Sequence, residues 1–377
     1  MELYIHIPFC IRKCAYCDFL SFPAGEERKR AYVEALREEI GGAAERGDVT
    51  TIFFGGGTPS VLSGEEIGIL METVRSHYRV LPGAEISLEA NPGTLTAEKL
   101  AAWREAGINR LSIGLQSADN RELRTLGRIH TWEEFLEGYR MARKAGFENI
   151  NIDLMSALPG QSSRTWRETL LKVTALEPEH ISAYSLIVEE GTPFYEKYGE
   201  DARRREEGLA CSWLPSEEEE RQMYYDTKGI LGEKGYGRYE ISNYARKGYE
   251  CRHNCGYWRR ESYRGFGLGA SSLVEEVRFK NTSCMEEYLG RDFSRREEER
   301  LSKEAQMEEF MFLGLRLAEG ISTEEFCRKF GCAYAEVYGK VTKELLAKKL
   351  LCQENQRIFL TEQGIDVSNY VMAEFLF

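Results

Sequence analysis

The sequence predicts an α/β protein: a partial (β/α)6 barrel followed by a small helical, winged-helix-like carboxyl-terminal domain. Three observations lead there. Six short β-branched or aromatic runs alternate with helix-period stretches through the first half, polar residues recur where those runs end, and 377 residues suffice for two or three domains with a large core. Right-handed crossovers turn such alternation into a parallel sheet that curls toward a barrel, whose functional groups gather at the carboxyl ends of its strands. Six units in place of eight leave one side to be covered by something else.

The strand-like runs are Leu3 to Ile7, Thr51 to Phe54, Glu85 to Glu89, Arg110 to Leu115, Ile150 to Leu154 and His180 to Leu186. Helical periodicity fills Glu26 to Ile40, Glu65 to Tyr78, Ala97 to Ala106, Thr131 to Ala145 and Ser163 to Leu176. These elements form a core over residues 1–190. Residues 191–295 then supply the cover, with a charged helix near Glu217 to Lys234 and an aromatic, glycine-rich stretch from Tyr236 to Leu273. Charge dominates Asp292 to Arg300, and a final domain over 296–377 follows, with helices at Met307 to Leu317, Ser322 to Phe330 and Ala335 to Ala347 and a strand at Ile358 to Thr361. No internal repeat is present.

Directly after the first strand, Cys10, Cys14 and Cys17 fall in a three-then-two spacing that directs three thiolates toward one centre. A cubane of four irons held by three thiolates keeps one iron open to an outside ligand. A structural zinc is the alternative; it would need a fourth protein ligand, such as His6 or a distant residue. After the second strand comes Gly55-Gly56-Gly57-Thr58-Pro59, bare backbone that a ligand can approach, or simply a tight turn into the next helix. Glu89-Ala90-Asn91-Pro92, Gln116-Ser117 and Asp153 then stand at or near the ends of the third, fourth and fifth strands. One such group is usually a helix cap or an ion-pair partner; several at successive strand ends describe a barrel mouth.

Taken together, these segments make the chain resemble the radical S-adenosylmethionine (SAM) enzymes over nearly its full length. Within them it is most similar to the group of oxygen-independent coproporphyrinogen oxidases and their HemW-type haem-chaperone relatives. The residues that carry the resemblance are Tyr4 to Cys10, the glycine loop with Pro59, Asn109 to Gly114, Leu126-Gly127-Arg128, Asn151 to Leu154 and Leu158-Pro159-Gly160-Gln161. The resemblance implies a [4Fe-4S] cluster on the three cysteines, with SAM on the free iron. It implies that backbone around Gly56, Gly57 and Thr58 meets the methionine end of SAM, that Glu89 and Arg128 hold its charged groups, that Gln116 and Asp153 bond the ribose, and that Tyr4 and Tyr16 line the site.

Two departures separate the oxidases from the chaperones. The oxidases carry a further cysteine two residues after the third cluster ligand, where this chain has Phe19, and they carry a longer amino-terminal arm. Both departures argue against porphyrinogen decarboxylation and leave SAM binding intact. His253-Asn254-Cys255-Gly256-Tyr257-Trp258 matches the His-Asn-x-x-Tyr-Trp motif of the chaperone group, where the histidine is linked to haem, and imidazole is a suitable axial ligand. A core or capping histidine is the other reading of His253, and the flanking Cys251 and Cys255 raise a thiolate ligand as a further one. The resemblance also places a histidine in the glycine-rich segment of relatives, where this chain has Ser271, and a glycine where it has Ala157. The function expected is haem binding and delivery to haem-requiring respiratory proteins; the alternative is a radical SAM enzyme acting on a tetrapyrrole, by decarboxylation, methylation or cleavage.

Composition restricts the partners. Lys and Arg number 50 against 62 Asp and Glu, a net charge of −12 that repels phosphate backbones, so nucleic acid is not an expected partner. The ten cysteines form no compact secreted framework, no leader-like apolar stretch opens the chain, and a reduced, cytoplasmic protein is expected. The apolar runs are strand-sized, well short of the roughly 20 residues needed to span a bilayer, so any membrane contact is peripheral. A homodimer remains an open expectation.

Overall fold

A computed structural model describes residues 1–377. The first half follows the expected alternation: β1 (Glu2–Ile7), α1 (Glu26–Gly42), β2 (Asp48–Gly56), α2 (Gly64–His77), β3 (Arg79–Ala90), α3 (Ala97–Ala106), β4 (Arg110–Gln116), α4 (Asn120–Thr125), α5 (Trp132–Lys144), β5 (Ile150–Ser156), α6 (Ser163–Thr174) and β6 (His180–Ser185). The six strands pair in parallel, in sequence order. Their β-branched and leucine side chains, with the inner faces of the helices, make one large core in which Leu3, Ile5, Ile7, Leu111, Ile113 and Ile152 are fully buried. Ser63 with Glu66 and Thr131 with Glu134 form capping boxes that start α2 and α5 after the strand-end loops.

The cover is more sheet than the sequence suggests. After α7 (Pro193–Glu206) and α8 (Glu217–Glu233), the short β7 (Gly237–Arg238) and β8 (Asn243–Ala245) add antiparallel strands beside β6. Then α9 (Arg252–Trp258) leads to β9 (Tyr263–Phe266), which pairs in parallel with β1, followed by β10 (Ser271–Val274), β11 (Val277–Lys280), α10 (Met285–Leu289) and β12 (Arg296–Arg300). The result is one open twelve-stranded sheet, with β12 at one edge and β7 at the other. The partial barrel is thus its middle, and it does not close.

The charged run Arg296–Arg300 is the last strand of this sheet, so the carboxyl-terminal unit starts after it and not at 296. That unit comprises α11 (Lys303–Gly314), β13 (Ile321–Ser322), α12 (Thr323–Phe330), α13 (Tyr334–Ala347), β14 (Leu351–Glu354), β15 (Arg357–Leu360), α14 (Glu362–Asp366) and α15 (Ser368–Ala373). These helices and a three-stranded antiparallel sheet, β13-β15-β14, enclose a separate core around Phe310, Phe326, Ile358 and Phe375. The links that join it to the barrel include Ala318 N–H donating to Tyr239 O at 2.8 Å, Arg260 Nε donating to Glu309 Oε2 at 2.7 Å, Arg259 Nη2 donating to Glu319 Oε1 at 3.1 Å and Tyr225 OH donating to Asp366 Oδ2 at 2.6 Å. No helix is long and apolar enough to cross a membrane.

Candidate functional site

The cysteine loop is pinned at both ends by backbone. Cys10 N–H donates to Phe22 O at 3.2 Å, Ala15 N–H donates to Leu126 O at 3.3 Å, and Ala15 O accepts from Phe194 N–H at 3.0 Å. Beside it, Gly57 and Thr58 N–H groups donate to Ile7 O and Phe9 O at 2.9 and 2.8 Å, which draws the glycine loop against the end of β1. A Cβ on Gly57 would lie 2.7 Å from Phe9 O, and Gly56 has φ +112°, so a side chain would push the two loops apart.

All three cysteines are free thiols facing one cavity of about 140 Å³. Every sequence-predicted site residue except Tyr4 and His253 lines that cavity. Thr58 Oγ1 lies 3.4 Å from Cys10 Sγ and Arg128 Nη1 lies 3.5 Å from Cys14 Sγ, donors suited to thiolate sulfur. Arg128 Nη2 donates to Asn91 Oδ1 at 2.6 Å, Asn91 Nδ2 donates to Thr58 Oγ1 at 2.8 Å, and Arg128 Nε is buried without a partner. Asn91 thereby couples two predicted residues. Its only sequence signal was its place before Pro92 at a strand end.

Glu89 accepts from Gly56 N–H at 3.2 Å. Burial, with the nearby Asp153 carboxylate adding to it, pushes its carboxyl up to about 8, so this acid is poised to ionise beside a cationic ligand. Asp153 accepts from Asn151 Nδ2 at 2.7 Å and from Ser112 Oγ at 3.0 Å. Gln116 sits at φ +73°, where the β4–β5 register shifts, and its Oε1 accepts from Tyr184 OH at 3.2 Å. The shift turns the Gln116 side chain out of the ladder toward the cavity. Tyr184, read from sequence only as part of an apolar run, joins the lining, and Tyr16 stands edge-on to Phe194.

These residues fit a three-thiolate cluster with a bound nucleoside. Three sulfurs ring the cavity, the glycine backbone is bare, and a buried guanidinium donor awaits an acceptor. No three His, Cys, Asp or Glu side chains converge on the spacing of a single ion, and His6 is turned away from the thiols, its ring nitrogens 3.0 Å from Tyr4 OH and 3.1 Å from Leu20 O.

Tyr4 and His253 lie behind the cavity, around a polar chamber of about 180 Å³ that shares Glu89, Ser112 and Asp153 with it. His253 is 1% exposed and stacks on Phe53 with ring centroids 5.1 Å apart. Its Nδ1 is 2.7 Å from Thr51 Oγ1 and its Nε2 is 2.9 Å from Tyr257 OH. Both nitrogens are engaged, so in this conformation the ring has no lone pair open to iron, and it bridges Thr51 and Tyr257. Glu85 caps α9, accepting from Arg252 and His253 N–H groups at 3.1 and 3.2 Å, and a Cβ on Gly256 would fall 2.0 Å from Glu2 Oε1. The motif helix thus seats directly on β1. Glu2 Oε2 lies 3.9 Å from His253 Nδ1, and burial pushes Glu2 up to about 9 and His253 down to about 3, which favours the uncharged form of both. Burial likewise pushes the Cys255 thiol up to about 12 and Cys251 further.

Comparison with known proteins agrees with this geometry. The radical SAM superfamily matches over residues 4–173 and the HemN C-terminal domain over 301–367. The chain is 39% identical to the "Heme chaperone HemW" of Lactococcus lactis, covering 99% of this chain and 96% of that protein, and 38% identical to the Bacillus subtilis protein of the same name, covering 99% and 98%. In structure it is similar to the coproporphyrinogen III oxidase HemN of Escherichia coli, with a TM-score of 0.83 and 22% identity, covering 99% of this chain and 89% of that one, a likeness of fold. The chain belongs to the HemW haem-chaperone family of the radical SAM superfamily.

Proposed function

We propose that this chain binds haem and passes it to haem-requiring respiratory proteins, and that it does so carrying a [4Fe-4S] cluster and SAM. The observation that carries the reading is full-length likeness to proteins named heme chaperone, joined to Phe19, a side chain 65% exposed at the mouth of the cluster cavity where the oxidases carry a cysteine. Cys10, Cys14 and Cys17 hold the cluster. When bound, a reduced cluster supplies one electron to the SAM sulfonium. Thr58 and Arg128 stabilise the thiolate sulfurs, Asn91 fixes both of them, Glu89 and Arg128 take the charged ends of SAM, and Gln116 and Asp153 take its ribose hydroxyls. Tyr16 closes the cavity beside the cysteine loop. His253, with Thr51, holds Tyr257 in place. The cytoplasm is the compartment that suits ten free cysteines, and client contact is peripheral to any membrane.

Anaerobic protein reconstituted with iron and sulfide is titrated with haem while parallel samples with reductant, SAM and coproporphyrinogen or haem go to mass spectrometry. A Soret shift with unchanged tetrapyrrole masses is expected. No haem binding at all would defeat the chaperone reading. A mass change would move the assignment to catalysis on a tetrapyrrole, the second reading, which draws its support from the completeness of the SAM cavity.

A further inference from the structure

A larger cavity, of about 540 Å³, opens where the barrel meets the carboxyl-terminal domain, well within the range of small-molecule sites. Its walls come from β1 (Tyr4), the end of α9 and its following turn (Tyr257 to Arg260), β9 (Tyr263), the start of β10 (Ser271) and α11 (Phe312, Leu313). Eight of its lining residues are aromatic or aliphatic, Glu261, Arg278 and Glu309 bring charge, and two N–H donors on lining residues are buried and have no acceptor: Trp258 Nε1 and Arg260 Nη1. Arg260 is 5% exposed. It is not a stray cation, because Nε donates to Glu309 at 2.7 Å and Nη2 donates to Glu276; its remaining arm is free. A desolvated guanidinium N–H without an acceptor is costly, and an incoming carboxylate oxygen removes that cost.

An aromatic-walled hollow with buried, unpartnered donors on two of its lining residues fits a flat, mostly apolar ligand bearing an acid group. On the reading that the chain binds haem, we infer that this interdomain cavity is the haem site, with the macrocycle against Tyr4, Tyr257, Tyr263 and Phe312 and one propionate accepting from Arg260 Nη1 and Trp258 Nε1. Tyr4 and Tyr257 also wall the polar chamber that adjoins the SAM cavity, so haem and SAM lie on opposite sides of one tyrosine partition. The place of His253 follows: it sets Tyr257, one face of the hollow, from behind.

The reconstituted protein is titrated with haem and with haem dimethyl ester, which lacks free carboxylates, for the unmodified chain, for Arg260→Gln and for Ser271→Trp. Ser271 is exposed at the cavity rim, so the tryptophan fills space without entering the core. The unmodified chain should prefer haem over the ester by on the order of tenfold or more, the size of one charge-assisted hydrogen bond. Arg260→Gln should erase that preference, and Ser271→Trp should weaken both ligands while iron content and SAM binding stay unchanged. Equal affinity for haem and ester in the unmodified chain, or wild-type haem affinity in Ser271→Trp, would overturn the placement and leave the haem reading standing. Failure of the unmodified chain to bind haem would instead overturn the reading on which the placement rests.

Discussion

His253 offers the sharpest quantitative test, because a residue expected as a haem ligand is found sealed between Phe53, Thr51 and Tyr257. Burial, reinforced by the Arg110 charge, lowers its imidazole from 6.5 to about 3. A base whose folded value is depressed contributes stability that is complete above 6.5 and is lost as pH falls from 6.5 toward 3. At pH 5 that loss is about 2 kcal/mol relative to pH 7.5. His253→Gln retains one hydrogen-bonding arm and removes the titration, so the variant should be less stable at pH 7.5 by roughly 1–3 kcal/mol yet lose about 2 kcal/mol less than the unmodified protein on acidification. Urea unfolding at the two pH values, followed through the fully buried Trp103 and Trp166 of the barrel, measures the difference. Imidazole nitrogen shifts in histidine-labelled protein give the titration directly, since the chain has only five histidines. A His253 that titrates at or above 6.5, or a variant with the unmodified pH slope, would refute the neutral-ring reading and point to a charged ring against Glu2. Because neither nitrogen is open, His253→Gln should also leave the Soret maximum of the haem complex in place.

Three further outcomes follow from the cluster cavity. Serine at Cys10, Cys14 or Cys17 should drop bound iron from about four per chain to near zero, with the far-ultraviolet spectrum unchanged, as seen by iron assay and circular dichroism. Glu89→Gln should weaken SAM about tenfold or more in equilibrium dialysis. Its SAM-free stability should also cease to fall between pH 4.5 and 8, because a carboxyl held near 8 loses folding stability as pH rises through that window. Asn91→Ala removes the link between Thr58 and Arg128 and should weaken SAM by a similar factor while the cluster stays assembled; unaltered SAM affinity would show that Gly114 O and Cys14 Sγ suffice to hold Arg128.

The parallel half of the fold was readable because each strand is a continuous apolar run bounded by a turn and a helix cap, a local signal. The cysteine loop, glycine loop and strand-end acids came with it, since a parallel barrel delivers strand ends to one mouth whatever the details. The remainder of the sheet was not readable. The pairing of Glu2–Ile5 with Tyr263–Phe266 is between distant segments and leaves no mark in either. Arg296–Arg300 looked like a boundary because it is all charge, which is what an exposed edge strand carries to repel further pairing. Burial of His253 was equally invisible: a histidine beside aromatic residues reads the same whether it faces a ligand or a core, and only the approach of α9 to β1 across Gly256 decides it.

The placement of β1 between β2 and β9 has a consequence for how the chain is made. β1 acquires its second neighbour only after residue 266 has left the ribosome, and until then one row of its peptide groups stays unpaired. Chains cut between β6 and β9 contain every cluster and SAM ligand yet retain that bare row. They should aggregate edge to edge, whereas chains that extend past β12, ending on its charged border, should remain dispersed.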